Sequence, residues 1–564
     1  MIGAMSCYTK LAIVGGLVLT AVSLLWPTVL TTLMYKNLKL APGSKSFQHW
    51  KETPVPMYID IYFHNWTNPQ EVYTATPHFN QMGPYRFYEK RTKVKLVWND
   101  NGTVSYRQTR HWYFDETYSN GTLTDKITTV NMIAATAAHK LRYHQRAEQI
   151  AMSWGLTSLK YEVEMVKTVK ELMFEGYSDH ILSILKYHPE YNKKVLDKFG
   201  WFYKRNGSDE IDGIFNMDTG ANDLTQVGKI RTWNGENRSD FFPGKCGEIA
   251  GTSGEVFPPW LTTKDRLGLF SGDLCRTIYL VYNKEASFKG INGLEFIGSY
   301  DNIDSGIVDP ETSCYATGEP TPLGLHNITS CRYGAPFFVS YPHFYLGDPW
   351  LTTQVSGLQP NEDLHRFSLT VEPTLGVPLD VKGRFQVNIM LEPNRHYLLY
   401  RDLPGRVYMP LLWFDQRASL TDPLADEVRL MVFLHNLSTS AATALLVVGI
   451  VMAASGITWA CRDFNKTPPN KLLHYTVYTI AAVAASTSRL NTPKPTPRAS
   501  PRASPTPSSR PSRSQSRNPS RSPSRSPSIY LRPSPRPSPR SSPCRISPSP
   551  SPQPRPNHLT VDWR

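Results

Sequence analysis

The chain has 564 residues, of which 40% are hydrophobic, and a formal net charge of +14. This length exceeds the size at which a single hydrophobic core keeps growing, so we expect more than one region. From Cys461 onward, 18 Lys and Arg accompany two acidic residues, which gives that segment a charge of +16 and leaves about −2 for the rest. The body of the protein therefore lacks the basic surface that phosphate binding requires, and we expect no nucleic-acid partner.

An uncharged stretch near the N-terminus, residues 11–34, lies between Lys10 and Lys36. As a helix rising about 1.5 Å per residue, it is long enough to cross a hydrocarbon core of about 30 Å. A cleaved signal peptide is the alternative, although it would have a shorter apolar region and a small-residue cleavage site. We predict a transmembrane helix over residues 11–34, after a cytoplasmic N-terminus of residues 1–10.

The segment that follows the first span contains several strand-like patterns. Apolar residues recur at every second position in residues 57–63, 93–98, 366–371 and 384–391. Strands with one apolar face must pair and bury that face. Their succession between turn residues predicts an antiparallel barrel or a large mixed sheet.

One region interrupts the strand pattern. From residue 131 to about residue 187 the chain is rich in helix formers, and Val163, Val166, Val169 and Met173 lie near helical spacing. This spacing predicts a helical insertion. Its apolar stripe is more typical of plain packing than of a ligand site.

Glycosylation sequons are spread through the segment between the two uncharged stretches. They lie at Asn65, Asn101, Asn120, Asn206, Asn237 and Asn327, and a further one at Asn436 is too close to the predicted membrane for modification. Together with the cysteines of the same segment, they favour an oxidising exterior or an organelle lumen over the cytosol. We predict a glycosylated ectodomain over residues 35–436.

Four cysteines lie inside this predicted ectodomain, at positions 246, 275, 314 and 331. They allow two disulfides with three connectivities, and buried free thiols are the alternative. We expect no metal site, because the cysteines lack CxxC spacing and the histidines are scattered. Cys7 and Cys461 lie beside the predicted spans, where palmitoylation is common, and an unmodified thiol is the equal alternative at either position.

The second uncharged stretch follows His435 and predicts a transmembrane helix over residues 437–461. Arg462, Lys466 and Lys471 come directly after it and favour a cytosolic C-terminus. By the same rule, Lys36, Lys39 and Lys45 would place the end of the first span on the cytosolic side. The sequons and cysteines between the two spans therefore decide the orientation. We predict that both termini are cytoplasmic.

The last segment, residues 462–564, repeats Pro, Ser and Arg. Low hydrophobicity and like charges leave nothing to offset the chain entropy, so we predict a disordered cytoplasmic tail. Because it is tethered to a membrane, we expect it to touch anionic cytosolic lipids or acidic partners. Phosphorylation of its Ser-Pro sites would weaken such contacts.

Motifs of enzymes do not occur in a plausible frame. The sequence has no GxSxG elbow, HExxH helix, Walker loop, GxGxxG turn or Ca²⁺ loop that fits its expected context. The acidic residues Asp301, Asp304 and Asp309 lie in a loop with Gly and Pro, where a solvated turn is the simpler reading. We therefore expect neither enzyme activity nor a cofactor.

Several longer strings resemble the class B scavenger receptor family, the two-span lipid receptors that include fatty-acid translocases and lysosomal membrane receptors. The strings, in the family's order and between two spans, are GPYRFYEKR (83–91), AGTSGEVFPPW (250–260), DLCRTIY (273–279), SYPHFY (340–345), GLQPNEDLHRF (357–367) and PLLWFD (410–415). The resemblance covers roughly residues 10–462 and leaves out the Pro/Ser/Arg tail.

The resemblance implies an α+β fold: a large β-rich ectodomain with an antiparallel barrel core and an apical helical bundle, flanked by two transmembrane helices. It also implies a tunnel that carries lipid towards the bilayer, and disulfides Cys246–Cys314 and Cys275–Cys331. The chain departs from many relatives in having no further cysteines between residues 314 and 331. Binding properties that depend on that loop are therefore not transferred.

Residues 158–172 align with the apical helix where the family takes up ligands. Lys160 lies where family members place an exposed lysine near the tunnel mouth, and a cation there would attract a carboxylate or an anionic lipoprotein surface. An ordinary solvated lysine is the equal alternative. Lys167 and Lys170 share the predicted helix and are further ligand-binding candidates, although Glu162, Glu164 and Glu171 would weaken their field.

Two functions follow as hypotheses. In the first, the ectodomain transfers fatty acids, sterols or carotenoids through a continuous apolar tunnel to the membrane. In the second, it recognises lipoproteins, apoptotic cells, microbes or a protein cargo through its apex, without lipid transfer. We expect the protein at the plasma membrane, with the lysosomal or endosomal membrane as the alternative, because the tail has no acidic dileucine signal.

Overall fold

The computed structural model describes residues 7–186, 197–318 and 320–466. Residues 11–456 belong to one compact unit, and the outer helix ends, 7–10 and 457–466, belong to a second. Most of the predicted Pro/Ser/Arg tail, including Cys544, lies outside the described residues, as do residues 1–6.

The helices and strands are numbered separately along the chain. The helices are α1 (Cys7–Leu38), α2 (Lys45–Lys51), α3 (Met132–Leu141), α4 (Arg146–Ser158), α5 (His180–Leu185), α6 (Pro349–Thr353), α7 (Glu362–His365) and α8 (Asp422–Lys466). The strands are β1 (Met57–Trp66), β2 (Phe79–Trp98), β3 (Thr103–Phe114), β4 (Lys126–Val130), β5 (Glu164–Thr168), β6 (Phe215–Asp218), β7 (Ile230–Trp233), β8 (Arg266–Ser271), β9 (Arg276–Phe288), β10 (Ile291–Gly298), β11 (His326–Asn327), β12 (Phe337–Ser340), β13 (Ser368–Glu372), β14 (Val377–Leu391) and β15 (Val407–Ser419).

The two uncharged stretches form parts of the long helices α1 and α8, and both helices are long and apolar enough to cross a membrane. Glycines bring their backbones close together. A Cβ added at Gly16 would lie 2.6 Å from the carbonyl oxygen of Gly449, and one added at Gly449 would lie 2.8 Å from the amide nitrogen of Thr20. Such close approach of small residues is how helices pack in lipid, where apolar side chains gain nothing from leaving water.

The strands build an antiparallel sheet that almost closes on itself. Its strand order is β7-β6-β3-β2-β1-β15-β14-β13-β10-β9-β8, and β12, which pairs with β11, joins the sheet at β14. Residues 250–252 lie between the two edge strands: Gly251 accepts from the amide of Ile230 at 2.8 Å, and Thr252 donates to Gly268 at 2.8 Å. The predicted barrel core is therefore confirmed.

The pairing register decides which side chains face the barrel interior. Ile59 of β1 lies opposite Phe87 of β2 and Gln416 of β15. Alternate residues of these strands, such as Ile59 and Ile61, point inward, because successive side chains of a strand point to opposite faces. The period of two seen in the sequence is thus the period of the barrel wall.

The helical insertion is confirmed for α3, α4 and α5, but the prediction is wrong for the part that contains Lys167. Residues Glu164–Thr168 form β5, which pairs with β4 so that Val166 lies opposite Thr128. β-Branched residues fit a paired strand better than a helix, and pairing with β4 outweighs the near-helical spacing of the valines. A single π turn, Glu171–Glu175, follows the strand.

Two disulfide bonds join loops of the ectodomain. Cys246 is bonded to Cys314, and Cys275 to Cys331, with Cα–Cα distances of 5.8 and 6.4 Å. Each closes a loop of more than fifty residues, which restricts the unfolded chain. The thiols of Cys7 and Cys461 are free and exposed.

Candidate ligand-binding cavity

A large cavity of about 1450 Å³ lies inside the barrel. Its wall consists of the inward-facing residues of the strands, including Met57, Ile59 and Ile61 of β1, and it extends beyond the strands at both ends. A space of this volume exceeds that of ordinary packing defects, because protein interiors are close-packed. The cavity is therefore a feature that the fold builds.

One end of the cavity reaches the helices that carry the predicted spans. Leu38, the last residue of α1, lines it together with Leu424, Val428 and Met431 from the beginning of α8. The side chains of both helices thus form an apolar floor where the chain leaves the barrel.

The other end of the cavity is covered by the helical insertion. Met132 and Ile133 of α3, Met152 of α4, and Ile181 and Leu182 of α5 all line it. This end lies far from the floor, because the ten residues of β1 separate the two and a strand rises about 3.3 Å per residue. The amide of Thr128 in β4 donates to Asn65 near the distal end of β1 at 2.8 Å, which fixes the insertion there.

Between the two apolar ends, one side of the cavity carries a cluster of nine charged residues, which we call the charged wall. From one end to the other it comprises Lys93, Glu255, Arg91, Glu89, Arg110, Asp212, Arg205, Asp273 and Arg332. Eight of them line the cavity, and Lys93 lies fully buried behind Glu255. Cations and carboxylates alternate along its whole length.

The contacts within the charged wall are short. Lys93 Nζ lies 2.6 Å from Glu255 Oε1, and Arg91 bridges Glu255 at 3.3 Å and Glu89 at 2.8 Å. Strand geometry sets this order, because Glu89, Arg91 and Lys93 are alternate residues of β2 and project from one face.

The remaining members continue the alternation across the barrel. Arg110 of β3 lies 2.8 Å from Asp212, and Arg205 holds Asp212 at 2.8 Å and Asp273 at 2.9 Å. Arg332 ends the series, with its guanidinium 3.7 Å from Asp273. Arg110 also lies 3.6 Å from Asp273, so this carboxylate has three cationic neighbours, and each of the other three carboxylates lies between two cations.

Burial and ion pairing shift the pKa values of these groups in opposite directions. Burial raises the pKa of the Glu89 carboxyl, but Arg91 and Arg110 outweigh it, and the pKa lies below its usual value. Burial likewise opposes ionisation of Glu255, and Lys93 and Arg91 reverse that effect. All four carboxylates of the wall have lowered pKa values and are ionised at neutral pH.

The cations at the two ends of the wall behave differently from those in the middle. Burial lowers the pKa of Lys93 to about 8, and burial also lowers the pKa of Arg332, despite their carboxylate neighbours. Coulombic attraction to two carboxylates raises the pKa of Arg91 and Arg205 against the same burial. Each of these two end cations has one carboxylate of the wall beside it, so burial outweighs the attraction there.

The three lysines predicted to bind ligand lie apart from this wall and on different elements. Lys160 is exposed directly after α4 with a backbone φ of 56°, Lys167 lies on β5, and Lys170 precedes the π turn. Lys167 Nζ lies 5.0 Å from the ring centre of Tyr177, and Lys170 Nζ lies 3.6 Å from Glu175. None of the three is among the described residues that line the cavity.

The predicted glycosylation sites differ in exposure. Asn101, Asn120, Asn206 and Asn237 are exposed, and Asn65 is half-buried. Asn327 is only 8% exposed, and its side-chain amide donates to the carbonyl of Thr317 at 3.4 Å.

Sequence reasoning missed the charged wall, although a signal was present. Residues 89–93 read EKRTK, with charged side chains at 89, 91 and 93 that share one face of a strand. Residues 89–91 also belong to a string that resembles the family. From the sequence alone these charges look like those of a solvated strand edge, because their partners Arg110, Glu255 and Asp273 lie elsewhere in the chain.

Comparison with known proteins gives a match over the same part of the chain as the described fold. The model of the CD36 family matches residues 8–460, which include both long helices and the whole barrel. The Pro/Ser/Arg segment after residue 460 lies outside the match.

Individual relatives are similar along most of their length. "Protein peste" of Drosophila melanogaster is 36% identical over 479 residues, covering 82% of this chain and 84% of the relative. "Scavenger receptor class B member 1" of Sus scrofa is 30% identical, covering 81% and 88%. "Lysosome membrane protein 2" of Homo sapiens is 28% identical, covering 76% and 88%.

Proposed function

The chain belongs to the CD36 family, and on that premise we propose that it is a cell-surface receptor that binds hydrophobic ligands in its cavity and transfers them to the membrane. The ligand classes are fatty acids, sterols or carotenoids, presented free or in lipoprotein-like particles. One observation carries the proposal: a single cavity is lined by apolar side chains both from α3–α5 and from the helix ends at the membrane.

The physical reason for such a cavity is the cost of exposing apolar surface to water, about 25 cal/mol per Å². A lipid that leaves a particle must be shielded along its whole route. Met132, Ile181 and Met152 provide an apolar surface where a ligand would enter, and Val428 and Met431 provide one where it would leave. The chain is accordingly assigned as a receptor rather than an enzyme.

The assignment of the termini follows from the same family membership. The protein is an integral membrane protein with two spans, α1 and α8, and cytoplasmic termini at the plasma membrane; a lysosomal membrane is the alternative. We propose that the basic tail contacts anionic cytosolic lipids or acidic partners, and that Cys7 and Cys461 are sites of palmitoylation.

Uptake by cells that express the full chain tests the proposal. Labelled oleate, cholesteryl oleate and β-carotene are offered to cells with the wild-type chain or with Ala137→Trp. Ala137 of α3 lines the cavity, so we expect an indole there to obstruct its helical end. The matched control is Ala151→Trp, which places the same ring at an exposed position of α4 that is absent from the cavity lining.

We expect wild-type and Ala151→Trp cells to take up at least one of the three ligands, and Ala137→Trp cells to match cells without the protein. Equal uptake by wild-type cells and by cells without the protein, with the protein verified at the surface, would contradict transfer.

The second candidate function, recognition without transfer, is favoured by an exposed apolar pair on α4. Ile150 and Trp154 lie one turn apart and are 56% and 73% exposed. Such side chains suit contact with the surface of a particle. If Ala137→Trp cells bind labelled lipoprotein as well as wild-type cells, and neither takes up its lipid, recognition is the function.

A further inference from the structure

Four tyrosines form a row on the outer face of the barrel. Tyr58, Tyr88 and Tyr113 lie opposite one another on β1, β2 and β3, and Tyr118 follows in the loop after β3. The ring centres of Tyr58 and Tyr88 are 5.8 Å apart, and those of Tyr88 and Tyr113 are 6.4 Å apart. Cross-strand pairing explains the contacts of these three rings. Tyr118 lies on no strand and is the most exposed of the four, at 66%.

Arg86 holds the ring of Tyr118 from one side. Its guanidinium carbon lies 5.5 Å from the ring centre of Tyr118 and 5.4 Å from that of Tyr58. Two hydrogen bonds of 2.6 and 2.7 Å join the same guanidinium to the buried carboxylate of Asp60. In a cation–π contact the cation lies over the face of the ring. Arg86 therefore covers one face of Tyr118 and leaves the other face exposed.

The loop that carries Tyr118 is bonded to β2 on its inner side. The hydroxyl of Ser119 accepts a hydrogen bond from the amide of Arg86 at 2.9 Å. The amide of Asn120 donates to the carbonyl of Pro84 at 2.7 Å. Ser119 thus points towards β2, whereas the side chains on either side of it, Tyr118 and Asn120, are both exposed.

Asn120 is the asparagine of a predicted glycosylation site, and it follows Tyr118 by two residues. At the other five predicted sites the residue two positions earlier is either buried or not aromatic: Phe63, Asn99, Lys204, Gly235 and Leu325. A chain spans at most about 3.6 Å per residue, so the Cα atoms of Tyr118 and Asn120 are at most about 7 Å apart. A sugar on Asn120 is therefore attached beside an exposed aromatic ring.

We propose that Asn120 carries an N-linked glycan whose first N-acetylglucosamine packs on the exposed face of Tyr118. The hydrogen atoms on the carbons of a sugar ring are weakly positive and suit the negative face of an aromatic ring. A polyprenyl pyrophosphate donor supplies the glycan: its C1–O bond breaks, a C1–N bond to Nδ2 of Asn120 forms, and Nδ2 loses one proton. The remaining N–H of Nδ2 can still donate to the carbonyl of Gly83, which lies 3.4 Å away.

The packed sugar shields an aromatic ring that would otherwise attract other proteins. It also holds the loop against β2, because the ring of Tyr118 is then enclosed between the sugar and Arg86. The inference does not depend on the proposed function, since the cavity lining described above includes none of the four tyrosines.

Oxidation of tyrosines by hydroxyl radicals, read by peptide mass spectrometry, tests the inference on the full chain purified from eukaryotic cells. Glycopeptide analysis first measures the occupancy of Asn120. We expect Tyr118 to be oxidised at least about twofold faster in Asn120→Gln than in the wild type, because a packed sugar covers about half or more of the exposed ring. Tyr143, which is 76% exposed in the helical insertion, is the internal reference and should not change. The matched control is Asn237→Gln, which removes a site preceded by Gly235 and should leave Tyr118 unchanged.

Enzymatic trimming of the folded wild type separates the first sugar from the rest of the glycan and needs no substitution. Endoglycosidase H, applied to protein from cells that make only oligomannose glycans, leaves one N-acetylglucosamine on Asn120. We expect the trimmed protein to keep most of the protection of Tyr118. The thermal unfolding midpoint shows whether Asn120→Gln is folded.

Three results would overturn the inference: an unmodified Asn120 in the wild type, equal oxidation of Tyr118 in wild type and Asn120→Gln, or loss of the protection of Tyr118 after trimming. Lipid uptake by wild-type cells tests the proposed function separately, so neither result decides the other.

Discussion

Two walls of the same barrel present different side chains to the cavity. On β2 and β3 the charged residues Glu89, Arg91 and Arg110 face the cavity. On β1, Ile59 and Ile61 face the cavity, whereas Asp60 and His64 point to the outer face and are also buried. The outer face of this second wall is covered by the chain around residues 341–367, which supplies His343 and His365.

The difference shows that strand alternation alone does not decide what a barrel encloses. Both walls alternate with a period of two and are in continuous register, since Met57 lies opposite Glu89 and Ile59 opposite Phe87. They differ in which residue types occupy the cavity-facing positions. The wall of β1 presents apolar side chains to the cavity, and the wall of β2 and β3 presents charged ones.

The largest expected effect comes from breaking the charged wall. Glu255→Leu removes the carboxylate that lies 2.6 Å from Lys93, whose side chain is fully buried. An uncompensated buried charge costs about 3–5 kcal/mol. We therefore expect a lower surface expression and a clearly lower thermal unfolding midpoint of the purified full chain.

The double variant Lys93→Met/Glu255→Leu is the control for this prediction. Replacing both partners by apolar side chains is often nearly neutral, so the double variant should unfold at a higher temperature than Glu255→Leu alone. A double variant less stable than the single one would show that the ion pair does not explain the loss.

A smaller effect is expected at acid pH from each of three buried histidines on the outer face of the apolar wall. His343 stacks on His365 with ring centres 4.3 Å apart, and His64 Nε2 lies 3.0 Å from Gln386 Oε1. Burial lowers the pKa of His64 to about 3, of His343 to about 4 and of His365 to about 3. All three rings are therefore neutral in the folded protein at neutral pH.

The sign of the effect follows from proton binding. Below about pH 6.5 the unfolded chain takes up protons on these rings and the folded chain does not, so the free energy of unfolding falls as the pH drops towards about 4. Each histidine contributes at most about 1.4 kcal/mol per pH unit. The unfolding midpoints of wild type and His365→Phe between pH 7.5 and 4.5 measure this, and we expect a weaker pH dependence in the variant. Identical slopes would contradict it.

The sequence predicted the architecture well because its signals are local. Strands with a period of two, long uncharged stretches and cysteines can be recognised within a short segment of sequence, without knowledge of distant contacts. The placement of Lys167 on a helix failed because pairing of β5 with β4 is a tertiary contact. The charged wall was not predicted because Asp212, Glu255 and Asp273 meet β2 and β3 only after the barrel has formed.

The central claim is that lipid occupies the cavity, and the most direct test is native mass spectrometry of the full chain purified from cells. We expect the wild type and Ala151→Trp to carry a non-covalent mass that lipid extraction identifies, and Ala137→Trp to carry much less of it. A wild type without bound lipid, or equal lipid on all three proteins, would contradict the account.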